Sequence, residues 1–149
     1  MMPATDHAEL HGTAATRLRR DGQRYTAGRR ALVDALVATD RPLTIPEVLQ
    51  SRRDLAQSSA YRNLAVLERA GVVRRIVTTD EHARFELAED LTEHHHHLIC
   101  TSCGGVADFT VSAAVERTIE TALATAAVDT GFRAEHHRLD LVGTCAGCE

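Results

Sequence analysis

Four cysteines and four histidines dominate the chemistry open to this sequence. The cysteines form two Cys-x-x-Cys pairs, Cys100/Cys103 and Cys145/Cys148, and the histidines occupy residues 94–97 just before the first pair. Four thiolates at this spacing can close a tetrahedral zinc site with no open position, so the pattern predicts a structural zinc ion. The alternative is two redox-active Cys-x-x-Cys motifs, which are less common than metal ligands in a reducing cytosol.

The histidine run predicts metal sites of a second kind. Alternate side chains of a strand point to opposite faces, so His94 and His96 would share one face while His95 and His97 share the other. Each pair could then start its own metal site with ligands from elsewhere in the chain. The alternative is an incidental His-rich surface patch.

The segments around these residues predict a small α/β unit. We expect strands at His95–Cys100, 106–109 and His136–Val142, and a helix that Ser112 caps and Gly131 ends. So small a sheet exposes its edges, and a second copy of the chain can cover them. The C-terminal half therefore predicts a homodimer.

The N-terminal half begins with predicted helices. Residues 1–16 are weakly patterned, and we expect a flexible tail or a frayed helix there. Thr26 can cap a first regular helix, and Thr44 with Glu47 forms a capping box for a second, short one.

A third helix and a hairpin follow. Ser58 or Ser59 can cap this helix, and Gly71 can stop it. Residues 72–77 and 83–87 then alternate around a polar turn as a two-stranded wing would. Helices followed by a wing predict a winged helix-turn-helix, and the whole chain predicts an α+β fold with a C-terminal Cys₄ unit.

The third helix is the expected recognition helix, which lies in the major groove in this class of domain. Its outward face begins with polar side chains, among which Arg suits guanine and Tyr suits a thymine methyl group. Two arginines ahead of the first helix could add phosphate or minor-groove contacts. The alternative is that Tyr61 is a core aromatic and Arg62 a solvated charge. The candidate DNA contacts are Ser59, Tyr61, Arg62, Asn63, Arg19 and Arg20.

The charge distribution favours different partners for the two halves. Residues 1–84 contain 14 arginines and 10 acidic residues, whereas residues 85–149 contain 3 arginines and 11 acidic residues, and the chain has no lysine. A basic half suggests a polyanion such as double-stranded DNA, and an acidic half rich in His and Cys suggests cations. The alternative is that the arginines only solvate helix faces.

Other classes of protein find less support. No apolar run approaches 18 residues and no signal peptide is present, so we expect a cytoplasmic protein with no membrane partner. A zinc hydrolase or deaminase would need an open metal position, and no His-Glu-x-x-His pattern occurs, so we expect neither an enzyme nor a small-molecule substrate. A zinc-stapled interaction module without DNA binding stays an alternative, which salt dependence of DNA affinity would separate from a DNA-binding protein.

Several short segments resemble the ferric uptake regulator family of metal-dependent repressors. They occur in the family's order between about Leu18 and Cys148. The resemblance implies a winged-helix DNA-binding domain hinged to a dimerisation domain, and a homodimer that binds AT-rich palindromic operators when loaded with metal. We expect these domains at residues 1–87 and 94–149, with the hinge at 88–93. The matching segments are residues 24–29, 59–64, 84–87, 94–104 and 136–139, leading to Cys145.

The resemblance also implies roles for individual residues. The four cysteines match the family's structural zinc site, Tyr61 and Arg62 match residues that contact operator DNA, and Arg20 aligns with a residue that probes the minor groove. The regulatory site beside the hinge would use His95, His97, Glu86 and Asp108. A further site inside the dimerisation domain would use His94, His96, Glu116 and His137.

Two departures from the family pattern bear on the regulatory metal. Iron and peroxide sensors commonly take a histidine from the region of Arg41 and Pro42, which has none here. The zinc-uptake-regulator branch often has a cysteine shortly before the histidine run, where this chain has residues 88–90. The complete histidine tetrad favours a zinc sensor that controls zinc-uptake genes. Iron(II), peroxide, manganese and nickel responses stay open. The unfilled ligand position could be taken by Glu89, Asp90 or His82.

Overall fold

The computed structural model describes residues 4–78 and 80–149, which form five α-helices and two three-stranded sheets. None of these helices is both long and apolar enough to cross a membrane. Two short 3₁₀ turns lie at Glu89–Leu91 and Ala146–Cys148. The elements are α1 Ala4–Arg20, α2 Ala27–Val37, β1 Leu43–Thr44, α3 Ile45–Ser51, α4 Gln57–Arg69, β2 Val73–Ile76, β3 Arg84–Leu87, β4 His96–Cys100, β5 Val106–Phe109, α5 Ala113–Thr130 and β6 Asp140–Gly143.

The N-terminal half has the predicted order of helices followed by a hairpin. The Thr26 hydroxyl caps α2 by accepting from the Arg29 amide, and Thr44 and Glu47 form a complete capping box on α3, which confirms both predictions. The β2–β3 hairpin is also confirmed, and β1 adds a strand to its far edge in the order β1-β3-β2. One hydrophobic core contains side chains from all four helices of this half, α1, α2, α3 and α4, and from this sheet.

The N-terminal segment, for which we expected a flexible tail or a frayed helix over residues 1–16, forms a regular helix. Residues 1–3 lie outside the described part of the chain, but α1 runs without a break from Ala4 to Arg20. Leu10, Ala14 and Leu18 recur every four residues, are at most 3% exposed, and pack into the main core. Helix α1 is polar overall, and the residue buried beside Leu10 is His11, so the segment looked poorly patterned in the sequence.

The start of the recognition helix differs from the prediction. Helix α4 begins at Gln57 with Ala56 in the cap position, so Ser58 and Ser59 lie inside the first turn and neither is the cap. Helix α4 ends as predicted, with Gly71 in the left-handed conformation (φ 77°) just beyond the last turn. The first amides of α4 consequently receive no side-chain cap among the described residues.

The second sheet has the strand order β5-β4-β6, with β5 antiparallel and β6 parallel to β4. The third strand was predicted over His136–Val142, but β6 covers only Asp140–Gly143. Because Asp140 pairs with His97, near the start of β4, the residues before Asp140 have almost no β4 left to pair with. Ser112 caps α5 and Gly131 ends it, as predicted.

Replacing a buried leucine of α1 tests whether this helix is part of the fold. Leu18→Ala should lower the free energy of unfolding by about 2–5 kcal/mol, because it leaves a cavity where a fully buried side chain packs. Arg19→Ala, on the neighbouring exposed position, should change it by no more than about 0.5 kcal/mol. Urea denaturation followed by circular dichroism measures both. Equal effects of the two substitutions would contradict a packed α1.

Candidate metal centres

A first cluster of metal-ligand side chains, here called the hinge cluster, joins the two sheets. It consists of Glu86 from β3 and His95, His97 and Asp108 from the second half, with ligand atoms all within 4.8 Å of one another. His95 Nε2 lies 3.1 Å from one Glu86 oxygen, and His97 Nε2 lies 3.1 and 3.2 Å from the two oxygens. One carboxylate of the first sheet therefore contacts two histidines beside the second.

The other nitrogen of His95 is held by a hydrogen bond from outside the cluster. His95 Nδ1 lies 2.9 Å from the Glu93 carbonyl oxygen, and a contact of this kind fixes the tautomer and the ring orientation of a metal-binding histidine. His97 Nδ1 lies 3.4 Å from Asp140 Oδ1 but forms no hydrogen bond with it. Residues outside the ligand set therefore orient His95 and place a carboxylate beside His97.

The charge and hydrogen bonding of the two carboxylates in the hinge cluster favour the binding of a cation. Burial opposes ionisation of Glu86, but hydrogen bonds from His95 and His97 and the nearby Arg74 charge hold its pKa below the usual range. Burial raises the pKa of Asp108. The Asp108 Oδ1 atom is buried with no hydrogen-bond partner in the described chain. A buried acceptor of this kind, beside two imidazoles and a second carboxylate, fits a divalent metal ion.

A second cluster, here called the α5 cluster, lies on the opposite face of the histidine run. His94, His96 and His137 surround Glu116 of α5, with contacts from 2.8 to 3.0 Å. His137 Nε2 is 2.9 Å from Glu116 yet forms no hydrogen bond with it, so this buried nitrogen is not satisfied by the protein atoms described. Three imidazoles and one carboxylate suit zinc or a similar transition metal.

The third cluster contains the four cysteines, all of them free thiols with sulfur atoms within 4.8 Å of one another. Cys103 and Cys145 sulfurs are 3.9 Å apart, close to the roughly 3.8 Å edge of a tetrahedron with zinc–sulfur bonds of about 2.3 Å. Backbone amides of Cys103 and Cys145 lower the pKa of Cys100 to about 6, which favours the thiolate that zinc requires. The sulfur geometry fits a closed structural site.

None of the three extra residues considered for the hinge cluster lies among its grouped ligand atoms, although Asp90 lines the cleft beside it. Asp90 pairs with Arg17 of α1, Glu89 contacts His94 and Arg74, and His82 is exposed in the hairpin turn. A cleft of about 540 Å³ nevertheless opens beside the hinge cluster, and Asp40 and Glu9 line it together with Glu86 and His95. Carboxylates, rather than a histidine, therefore face the cleft from the N-terminal half.

Four of the six predicted DNA contacts are exposed and two are half-buried. Tyr61 is 54% exposed, which removes the alternative of a core aromatic, and Arg62, Arg19 and Arg20 are exposed as well. Ser59 is half-buried. Asn63 is also half-buried, and its side-chain oxygen accepts a hydrogen bond from Arg29 Nε at 3.1 Å. Asn63 is therefore placed to orient Arg29, whose guanidinium also donates to the Arg24 carbonyl.

Two charged residues near the clusters were missed in the sequence. Arg74 lies directly opposite Glu86 in the β2–β3 pair, and Asp140 lies opposite His97 in the β4–β6 pair. Only the strand registers place these two residues beside the clusters. A register cannot be read from the sequence until the bounds of both strands, and so the length of their connection, are known.

A helical half with a hairpin wing, linked to three clusters of metal-ligand side chains, defines the class of metal-responsive DNA-binding regulators. The sequence model of the ferric uptake regulator family matches residues 20–142, and the chain belongs to this family. Members of the family are metal-dependent DNA-binding transcription regulators and not enzymes.

Individual relatives cover most of the chain. The peroxide-responsive repressor PerR of Staphylococcus saprophyticus is 29% identical over 138 residues, which is 90% of this chain and 88% of the relative. The Helicobacter pylori ferric uptake regulator, described as having three functional metal-binding sites, has a TM-score of 0.71 at 22% identity over 95% of this chain and 93% of its own. A zinc-bound manganese uptake regulator has a TM-score of 0.61 at 28% identity, over 89% and 98%. These relatives do not favour the zinc-uptake-regulator branch over the others.

Metal uptake by the hinge cluster should release a proton that depends on His95. The hydrogen bond to Glu86 raises the pKa of His95 to about 9 although burial opposes the charge, and a metal ion needs the neutral imidazole. Because the pKa of His95 in the folded protein lies above the ordinary histidine value of 6.5, the shift stabilises the metal-free protein below pH 6.5, and this contribution is lost as the pH rises through about 9. Apparent metal affinity should rise with pH over the same window and then level off.

Calorimetric metal titrations in buffers of different ionisation enthalpy measure this proton. Release attributable to His95 should be close to one proton at pH 7 and should vanish near pH 10. His95→Ala removes it, whereas His136→Ala, at an exposed histidine outside the three clusters, serves as the control. Proton release that is the same at pH 7 and pH 10 would contradict the shifted pKa.

Proposed function

We propose that this chain is a homodimeric, metal-dependent transcriptional repressor whose hinge cluster is the switch. The observation that carries the proposal is the contact of Glu86, on the sheet of the N-terminal half, with His95 and His97 beside the second sheet. An ion bound by these residues and Asp108 would tie the DNA-binding domain (residues 1–87) to the dimerisation domain (residues 94–149) across the hinge at 88–93. The structural zinc site of the four cysteines would hold the second domain together.

The switch works as a population shift. Without the regulatory ion, the two DNA-binding domains of a dimer sample several orientations about their hinges. An ion in the hinge cluster favours one orientation and therefore one spacing of the two recognition helices, and operator DNA binds that subset. By linkage, operator DNA should tighten metal binding by the same factor.

Helix α4 supports the DNA-binding part of the proposal. Its exposed N-terminal half presents Tyr61 and Arg62, and its first amides lack a side-chain cap, which leaves them available to phosphate oxygens. Arg19 and Arg20 extend the basic surface from the end of α1. The candidate partner is an AT-rich palindromic operator of double-stranded DNA.

The second half supports a homodimer. Helix α5 has no buried residue, and Val128 and Phe132 at its C-terminal end are 78% and 70% exposed. Leu141 and Val142 of β6 are 55% and 62% exposed. Regulators of this family bind DNA as dimers. We infer that a second copy of the chain covers this apolar surface.

Two candidates for the regulatory metal have specific support, while nickel and an iron(II) or manganese response without peroxide stay open. Zinc, with control of zinc-uptake genes, is the first, since two histidines and two carboxylates can form a tetrahedral site and zinc stands above iron(II) and manganese in the general affinity order. Iron(II) or manganese with a peroxide response is the second. Its support is the 29% identity to a peroxide-responsive repressor and the equal number of nitrogen and oxygen ligands in the hinge cluster.

An anaerobic titration decides between these metals. Binding to a palindromic AT-rich operator is followed by fluorescence anisotropy against buffered free zinc, iron(II), manganese and nickel. Zinc sensing requires half-maximal DNA binding at the lowest free zinc with little response to iron(II). The peroxide candidate requires activation by iron(II) and loss of DNA binding after hydrogen peroxide is added. DNA binding that no metal changes would end the metal-dependent interpretation.

Removing the two hinge histidines tests the switch itself. His95→Ala combined with His97→Ala should abolish the dependence of operator affinity on metal, because the ion can no longer bridge the two domains. The control, His136→Ala, should keep the wild-type response. Operator binding that remains equally metal-dependent in the double variant would refute the assignment of the hinge cluster as the switch.

Salt dependence tests the DNA contacts of the basic half. Operator affinity of the metal-loaded protein should fall steeply between about 50 and 200 mM salt, because arginines release counterions from the phosphates. Arg20→Gln should reduce the slope of log affinity against log salt by about one per subunit, which is about two for the dimer. If the metal-loaded wild-type protein does not bind DNA even at low salt, an interaction module without DNA binding is favoured.

A further inference from the structure

Arg74 is a charged group inside the hinge cluster that is not one of its four ligands. It lies on β2 opposite Glu86, and its Nε and Nη2 atoms both approach Glu86 Oε1 at 2.5 Å. The Arg74 side chain is 24% exposed and the Glu86 side chain 8%. A guanidinium therefore already neutralises the carboxylate through which β3 contacts the two histidines of the second half.

Glu86 has no free hydrogen-bonding capacity in this arrangement. Its Oε1 atom accepts from Arg74 and lies 3.1 Å from His97 Nε2, while Oε2 lies 3.1 Å from His95 and 3.2 Å from His97. A metal ion entering the cluster replaces the protons on the histidine nitrogens. It cannot replace the Arg74 charge in that way, because arginine stays protonated in proteins.

A second carboxylate offers Arg74 another partner. Arg74 Nη1 lies 3.7 Å from Glu89, which is on the 3₁₀ turn of the hinge. Glu89 also contacts His94 Nδ1, whose Nε2 belongs to the α5 cluster. Arg74 thus lies between one ligand of the hinge cluster and a carboxylate that supports a ligand of the other cluster.

We propose that Arg74 acts as a resident cation that sets the metal affinity of the hinge cluster, competing with the incoming ion for Glu86 and moving towards Glu89 when the ion binds. The inference rests on the proposed role of the hinge cluster as a metal site. Repulsion between a permanent unit charge and a divalent ion a few ångströms away weakens binding, and moving Arg74 away from Glu86 costs its contact there, so Arg74 lowers the metal affinity of the site. A sensor gains from this because its threshold must lie near the free metal concentration it reports.

Substitution of Arg74 should change the zinc affinity in a direction that a merely structural role would not produce. In a His137→Ala background, which removes one ligand of the α5 cluster, zinc affinity of the hinge cluster is measured by competition with a chromophoric chelator. Arg74→Gln should tighten zinc binding about tenfold or more. Arg74→Lys keeps the charge and should stay within about threefold of the parent protein.

The matched control is the neighbouring arginine. Arg75 pairs with Glu68 at 3.4 Å on the other face of β2, so Arg75→Gln makes the same charge change away from Glu86 and should leave zinc affinity within about threefold. Thermal unfolding of each metal-free variant shows that it is folded. Arg74→Met, which retains most of the aliphatic stem, replaces Arg74→Gln if that variant does not fold.

Glu89 gives an independent check through a double-mutant cycle. Glu89→Gln removes the alternative partner of Arg74 and should weaken zinc binding, but it should have little effect when Arg74 is already Gln. Unchanged or weaker zinc binding in Arg74→Gln overturns the inference while leaving the proposed function intact. A parent protein whose zinc affinity is unaffected by His95→Ala overturns the hinge site itself, and the inference with it.

Discussion

The carboxylate of Glu86 is the contact on which the arrangement of the two halves depends. It is buried, it extends from the first sheet, and it accepts hydrogen bonds from Arg74 and from two histidines of the other half. A buried carboxylate is costly unless such donors surround it, so the histidines and Glu86 stabilise one another's positions. A cation that replaced the imidazole protons would bind between side chains that already lie together across the two halves.

A second polar link ties the hinge to the N-terminal half. Arg17 of α1 donates to the Gly71 carbonyl at 2.6 Å, just after the recognition helix, and pairs with Asp90 in the hinge. Arg17 is held on a helix whose leucines are in the core, so it cannot follow a moving hinge far. Arg17 therefore ties the 88–93 segment to the N-terminal half. In the proposed switch, this contact would limit the orientations among which an ion at Glu86 selects.

The sequence predicted the ends of helices better than it predicted which residues of different elements lie beside one another. Caps at Thr26, Thr44 and Ser112 and the glycine ends at Gly71 and Gly131 are local chemistry, and all five are found. The division of the histidine run between two clusters also follows from strand alternation alone. The sequence did not distinguish a flexible tail from a frayed helix over residues 1–16, because the segment is polar overall. Strand β6 was predicted too long because its register is non-local, and Arg74 was overlooked because only the β2–β3 register places it at Glu86.

The second half of the chain differs from the first in what it buries. Its most buried large side chains include His96 and His97, at 1% and 2% exposed, while its helix α5 buries nothing. Ionisable side chains in so small an interior contribute little hydrophobic stabilisation, and apolar ones on the outside contribute none until they are covered. Metal ions and a second copy of the chain, as proposed above, would supply this missing stabilisation. In the proposed regulator, metal binding, dimerisation and folding of this half are therefore thermodynamically linked, and a change in one should alter the other two.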